Sequence, residues 1–196
     1  QVFQLFVRGG RSLMRTLLLR SLFAKPLTMP APRPDALPPS TEDPLLAELG
    51  KALEMRARKL FGRSITIREV DAGSCNGCEL EIHALNNAIY DVERFGMRFA
   101  ASPRHCDVLL VTGPVTHNMR VALERTYAAM PEPKWVIAAG DCAAGCGVFA
   151  QSYATVGAVA SVVPVDLVIP GCPPKPIDLL KGLLTLMEKA VGANKP

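Results

Sequence analysis

Apolar residues follow two rhythms along this chain. Val108–Thr112 and Trp135–Ala139 are short apolar runs, Ile65–Val70 is short and β-branched, and Met97–Ala100 and Leu167–Ile169 are briefer runs of the same kind. Each reads as a strand. Between them, apolar positions recur at helical spacing. Leu46, Leu49, Leu53 and Leu60 mark a helix over Leu45–Phe61, and Glu79–Tyr90 reads as a second. A third runs from a Thr116 cap to about Met130, and Ile177, Leu180, Leu184 and Met187 mark a last one over Lys175–Val191. Apolar strands alternating with helices predict an α/β domain with a parallel sheet covered on both faces.

The chain ahead of this domain has a different texture. Phe3, Phe6 and Val7, then Met14, Leu18 and Leu22, fall at helical spacing, with Arg8, Arg11 and Arg15 on another face. This reads as a basic helical arm lying on an anionic membrane surface or docked on a membrane subunit. The plainer reading is a frayed tail or translated upstream sequence, and Gly9-Gly10 weakens its first half. Residues 25–44 then carry Pro26, Pro30, Pro32, Pro34, Pro38 and Pro39, an extended linker. The expected division is an arm and linker over 1–43 and a domain over 44–196. The chain opens on Gln1, with Met14 and Met29 as candidate starts.

Charge sharpens that division. The net charge is +4, yet six of the 22 basic residues and none of the 18 acidic ones precede Asp35. The rest carries a slight acidic excess and so has no global charge signature of a nucleic-acid binder, and no nucleic-acid partner is expected. At 49% apolar and 20% charged, the composition is that of a globular protein. No run of about 18 apolar residues is present, so no transmembrane helix is expected. No secretory signal is visible either, which favours a reducing setting and metal binding for the thiols.

The six cysteines are Cys75, Cys78, Cys106, Cys142, Cys146 and Cys172. Cys75 and Cys78 form a CxxC after the strand ending near Asp71, Cys142 follows the strand ending near Ala139, and Cys172 follows the strand ending near Ile169. Loops after the strands of a parallel sheet gather at one edge, where ligands bind. Four thiols can therefore meet without clustering in sequence, and Gly73, Gly77, Gly140 and Gly171 let backbone come close to them. Four thiolates match a [4Fe–4S] cluster, and they also match zinc. Cys106 opens an apolar strand and reads as buried filler. Cys146 is an alternative ligand ranked below Cys142.

Other chemistry is sparse. Glu79 and Glu81 could couple protonation to reduction, although carboxylates there more often complement a helix N-terminus. Asp141 has the same two readings. Arg104 and His105 are candidates for contact with a partner near its active site, against a solvated loop. His83 reads as a packed or surface side chain. No nucleophile–base pair stands out, so no catalytic centre is expected within this chain alone.

Asp71-Ala-Gly-Ser-Cys-Asn-Gly-Cys-Glu-Leu-Glu81, the run Ser102–Thr116, Gly140-Asp-Cys142 and Gly171-Cys-Pro-Pro174 resemble the small subunit of membrane-bound, energy-converting NiFe hydrogenases of the formate hydrogenlyase and hydrogenase-4 type. The same superfamily includes the 20 kDa (B) subunit of respiratory complex I. The resemblance covers roughly residues 15–190. It implies a flavodoxin-like three-layer fold and one [4Fe–4S] cluster on Cys75, Cys78, Cys142 and Cys172. It also implies an electron-transfer role beside the active site of a large subunit, of NiFe or 49 kDa type. A ferredoxin-like iron–sulfur subunit, membrane subunits met through the N-terminal arm, and a peripheral place on the cytoplasmic face of the cell membrane follow from the same likeness. Complex I B subunits are similar in carrying two adjacent cysteines where this chain has Cys75-Asn-Gly-Cys78, which favours the hydrogenase branch; a complex-I-like quinone oxidoreductase subunit is the alternative. The family often has Gly-Gly after the third ligand, and here Cys146 takes the first place.

Overall fold

In this computed structural model, residues 44–193 are described, apart from Gln151. The arm and linker expected over 1–43 lie outside the described residues. Five strands form the main sheet: β1 (Ile65–Asp71), β2 (Met97–Phe99), β3 (Val108–Thr112), β5 (Trp135–Ala139) and β7 (Leu167–Ile169). All are parallel, in the order β2-β1-β3-β5-β7. A separate antiparallel ribbon pairs β4 (Val115–Thr116) with β6 (Thr155–Gly157). The helices are α1 (Pro44–Phe61), α2 (Gly77–Ala84), α3 (His117–Ala129), α4 (Asp141–Gly145) and α5 (Pro176–Ala193).

Every residue of β3 and β5 is buried, as their apolar runs predict. One face of the sheet packs Ile65, Ile67, Leu110 and Ile137 under α1, α2 and α5. The other packs Val70, Leu109, Val111 and Val136 under α3 and α4. This is the expected three-layer, flavodoxin-like arrangement. The sheet's lower edge is closed by two aspartates. Asp107 Oδ2 accepts the Thr66 N–H at 2.9 Å, and Asp166 Oδ2 accepts the Val136 N–H at 2.9 Å. Each precedes an apolar strand and ties it to its neighbour.

Two elements differ from expectation. Helix α2 ends at Ala84, not Tyr90, because the Asn87 side chain accepts the Ile89 and Tyr90 N–H groups at 2.8 and 3.0 Å. That local bond offers the backbone an alternative to the helix. In α5 the buried stripe is Leu179, Leu180, Leu183, Leu186 and Met187, with Ile177 and Leu184 only half-buried. The helix is covered by α1 as well as by the sheet, so a wider face turns inward. The last helix, expected over Lys175–Val191, runs over Pro176–Ala193.

Candidate functional site

The site grows from three turns at the upper edge of the sheet. After β1, the Asp71 carboxylate accepts the Gly73 and Ser74 N–H groups at 2.8 and 2.7 Å, folding Asp71-Ala-Gly-Ser into a tight turn. Cys75 projects from that turn and is exposed, while Cys78 lies buried in the first turn of α2. After β5, Cys142 sits in the short helix α4 and is half-buried. After β7 comes Cys172, exposed, joined to Pro173 by a cis peptide.

These turns touch. Gly140 holds φ 91° and ψ 158°, a region open essentially to glycine alone. A methyl group placed on it would lie 2.7 Å from Cys78 Sγ and 3.4 Å from the Gly171 carbonyl oxygen. A methyl on Gly77 would lie 3.5 Å from Cys75 Sγ and 3.9 Å from Pro173 Cβ. Asp141 stitches the second turn to the third: its N–H donates to Gly171 O at 2.9 Å, and its Oδ1 accepts the Gly171 N–H at 2.8 Å.

The thiols sense one another. Burial pushes Cys78 up to about 12, with Glu79, Cys75, Cys142 and Cys172 each adding to the rise. Burial likewise raises Cys142, followed by Cys172 and Cys75, while a hydrogen bond from the Val148 backbone opposes the rise. The structure thus brings Cys75, Cys78, Cys142 and Cys172 within electrostatic reach at one sheet edge. Cys146 does not figure among the main influences on Cys78 or Cys142; its N–H donates to Cys142 O at 2.8 Å. Cys106 is fully buried away from this edge, its thiol donating to Ser102 O at 3.1 Å, as filler would. Among the described residues, no three His, Cys, Asp or Glu side chains gather closely enough to hold a single metal ion.

Glu79 lies in the first turn of α2, where a carboxylate complements the helix N-terminus, but it is buried there. It is 7% exposed, its Oε2 accepts from the Ser74 hydroxyl, and its Oε1 has no partner among the described residues. Glu81 is half-buried and His83 is exposed. Arg104 and His105 occupy a turn ahead of β3, at the sheet edge opposite the cysteines, so they do not join the site. Ser74 and Val148 were not singled out by sequence reasoning; the Asp-x-Gly-Ser turn pattern carried a signal for the first, and nothing did for the second.

Fold and site together define a class: a flavodoxin-like domain that gathers thiols where such folds bind redox groups. The chain belongs to the family described as NADH ubiquinone oxidoreductase, 20 Kd subunit, which matches residues 75–186. It is 45% identical over 142 residues to the probable membrane-bound hydrogenase subunit mbhJ of Pyrococcus furiosus, covering 71% of this chain and 85% of that one. It is 41% identical over 161 residues to formate hydrogenlyase subunit 7 of Escherichia coli, covering 81% of this chain and 62% of that one. Among solved structures, a chain of the membrane-bound sulfane sulfur reductase, an archaeal respiratory membrane complex, superposes with a TM-score of 0.58 at 36% identity, covering 70% of this chain and 75% of that one. These relatives are subunits of oxidoreductase complexes. No helix among the described residues is long and apolar enough to cross a membrane.

Proposed function

We propose that this chain is the electron-transfer subunit of a membrane-associated hydrogenase-type complex, with one [4Fe–4S] cluster held by Cys75, Cys78, Cys142 and Cys172. The observation that carries the reading is the convergence of three separate turns at one sheet edge, where a methyl on Gly140 would meet Cys78 Sγ at 2.7 Å and Gly171 O at 3.4 Å, and one on Gly77 would meet Cys75 Sγ at 3.5 Å and Pro173 Cβ at 3.9 Å. Burial and the neighbouring thiols disfavour the thiolates of Cys78 and Cys142, and a shared cationic centre removes that penalty. The Val148 N–H aimed at Cys142 favours the thiolate. Four thiolates suit a four-iron cluster that takes one thiolate per iron. Once bound, such a cluster supplies one-electron transfer.

The residues around it support docking beside a partner's reactive centre. Leu80, Val148 and Tyr153 follow the cysteines closely in sequence and are 64%, 87% and 96% exposed. Such exposed apolar side chains suit a surface that a partner subunit covers. The large subunit covers this edge in the proposed assembly, and the basic arm over 1–43 meets the membrane or a membrane subunit on the cytoplasmic face.

The test is anaerobic purification with the partner subunits, followed by iron and acid-labile sulfide analysis and a hydrogen assay. Cys75→Ala is expected to abolish hydrogen turnover and lower both iron and sulfide. An intact complex with that substitution and full turnover ends the relay reading, and zinc without sulfide in the unaltered chain ends the cluster reading. A second reading, a complex built on quinone or sulfur chemistry, is favoured by the likeness to the sulfane sulfur reductase chain. Nickel analysis of the co-purified large subunit separates the two. For the arm, Arg8, Arg11 and Arg15 to Glu is expected to release the chain from membranes.

A further inference from the structure

Strand β3 stands between the strands that carry the first and third cysteines, and its own loop holds none. That loop, Gly113–Thr116, makes the connection. Ala72 donates its N–H to Thr112 O at 3.0 Å. The Ala72 carbonyl in turn accepts two bonds from one residue, the Thr116 N–H at 2.9 Å and the Thr116 hydroxyl at 3.0 Å. A methyl on Gly73 would lie 2.3 Å from Thr116 Cγ2. At Gly113, with φ 70°, it would lie 2.4 Å from Ser74 N. The turn that presents Cys75 is therefore pressed against this loop along three successive residues.

Thr116 also reaches the other way. It pairs with Thr155 in the ribbon of β4 and β6, and the adjacent His117 N–H donates to Ala154 O at 2.9 Å. Both partners belong to the segment that follows Cys142. The Thr116 hydroxyl further accepts the Met119 N–H at 3.4 Å and starts α3.

The structure assigns Thr116 as a positioning residue: it locks the exposed Cys75 turn to the segment behind Cys142 and so fixes the spacing between those two thiols. The assignment rests on the four-thiol reading above. The Asp71 carboxylate holds the start of the Cys75 turn, the Ser74–Glu79 bond its middle and Thr116 its flank. Losing the hydroxyl leaves the Ala72 carbonyl one donor instead of two, so the turn loosens without unfolding.

The test uses the full chain in two forms, assembled with its partners and stripped of iron. In the stripped chain, alkylation by iodoacetamide is followed residue by residue in mass spectra. Thr116→Val keeps the shape and removes the hydroxyl; it is expected to speed alkylation of Cys75 several-fold relative to Cys142, and to alter the electron paramagnetic resonance signature of the reduced complex. Thr116→Ser keeps the hydroxyl and is expected to stay within twofold of the unaltered chain. Leu123→Ala, which opens the core under α3, serves as a chain of matched lower stability. An equal Cys75 rate change in Leu123→Ala, or no change in Thr116→Val, overturns the assignment and leaves Thr116 a helix cap. Should Thr116→Val fail to fold, Gly73→Ala pushes on the same contact from the opposite side, and adding Thr116→Ser should bring the Cys75 rate partway back; no recovery overturns it equally. If the unaltered complex carries no iron, the proposed function falls, while the alkylation comparison still decides the role of Thr116.

Discussion

Gly140→Ala probes the contact between two of the cysteine turns. The backbone there occupies a region that costs a residue with a side chain about 1–3 kcal/mol. The new methyl would also press on Cys78 Sγ from 2.7 Å, and overpacking of that kind costs about 1–3 kcal/mol more. The total, about 2–6 kcal/mol, is a large part of the roughly 5–15 kcal/mol that holds a domain folded. With a urea dependence of about 2 kcal/mol per molar, the unfolding midpoint should fall by about 1–3 M. Gly62→Ala is the control, because Gly62 has φ 64° but an added methyl there meets nothing within 4 Å. It should show the backbone cost alone, about 1–2 kcal/mol. Iron content of the assembled complex should fall for Gly140→Ala and hold for Gly62→Ala. Equal urea midpoints for the two variants, with iron content retained in both, would refute the claim that the Gly140 backbone seats Cys78.

Other expectations follow from the same contacts. Cys172→Ala should lose iron and sulfide, whereas Cys106→Ala and Cys146→Ala should keep the stoichiometry of the unaltered chain. Asp107→Ala leaves the buried Thr66 N–H without its side-chain acceptor, and Arg63→Ala takes the bidentate guanidinium from a carboxylate that is itself 6% exposed; each should cost about 1–3 kcal/mol in urea unfolding. Burial raises the Glu69 carboxyl, followed by the charges of Glu79 and Asp71, with His83 and Arg68 opposing. A raised carboxyl contributes stability only below its ordinary range and loses it as pH rises through the folded value, so the ionised side chain is a cost at neutral pH. Glu69→Gln should therefore raise the urea midpoint of the iron-free chain near pH 7, with the difference closing by about pH 4.

The sheet was legible because burial on both faces leaves strands such as Val108–Thr112 and Trp135–Ala139 no room for polar residues. The Thr116 cap was legible because a hydroxyl before a helical run meets an unpaired N–H, and it does so at Met119. What escaped was set by distant partners or by side-chain competition. Val115–Thr116 is too short for a period, and its strand character comes from pairing with Thr155–Gly157. The early end of α2 comes from one amide side chain, Asn87. The edge positions of the cysteines could be read from where the strands stop, but the burial of Cys78 and Glu79 could not, since desolvation depends on what folds over them. Asp107 and Asp166 left a signal that went unread: each stands directly before an apolar run and ties it to the next strand.

The interposed β3 has a consequence for how such a chain acquires metal. A zinc finger keeps its ligands close in sequence and folds around the ion. Here only Cys75 and Cys78 are near neighbours in sequence, and the remaining two thiols come to them only through the pairing of β3, β5 and β7. On the proposed ligand set, a cluster can be held only once the sheet is complete. Starvation for iron should accumulate a folded, empty chain, and a delivery factor would recognise a finished surface, not a nascent strand.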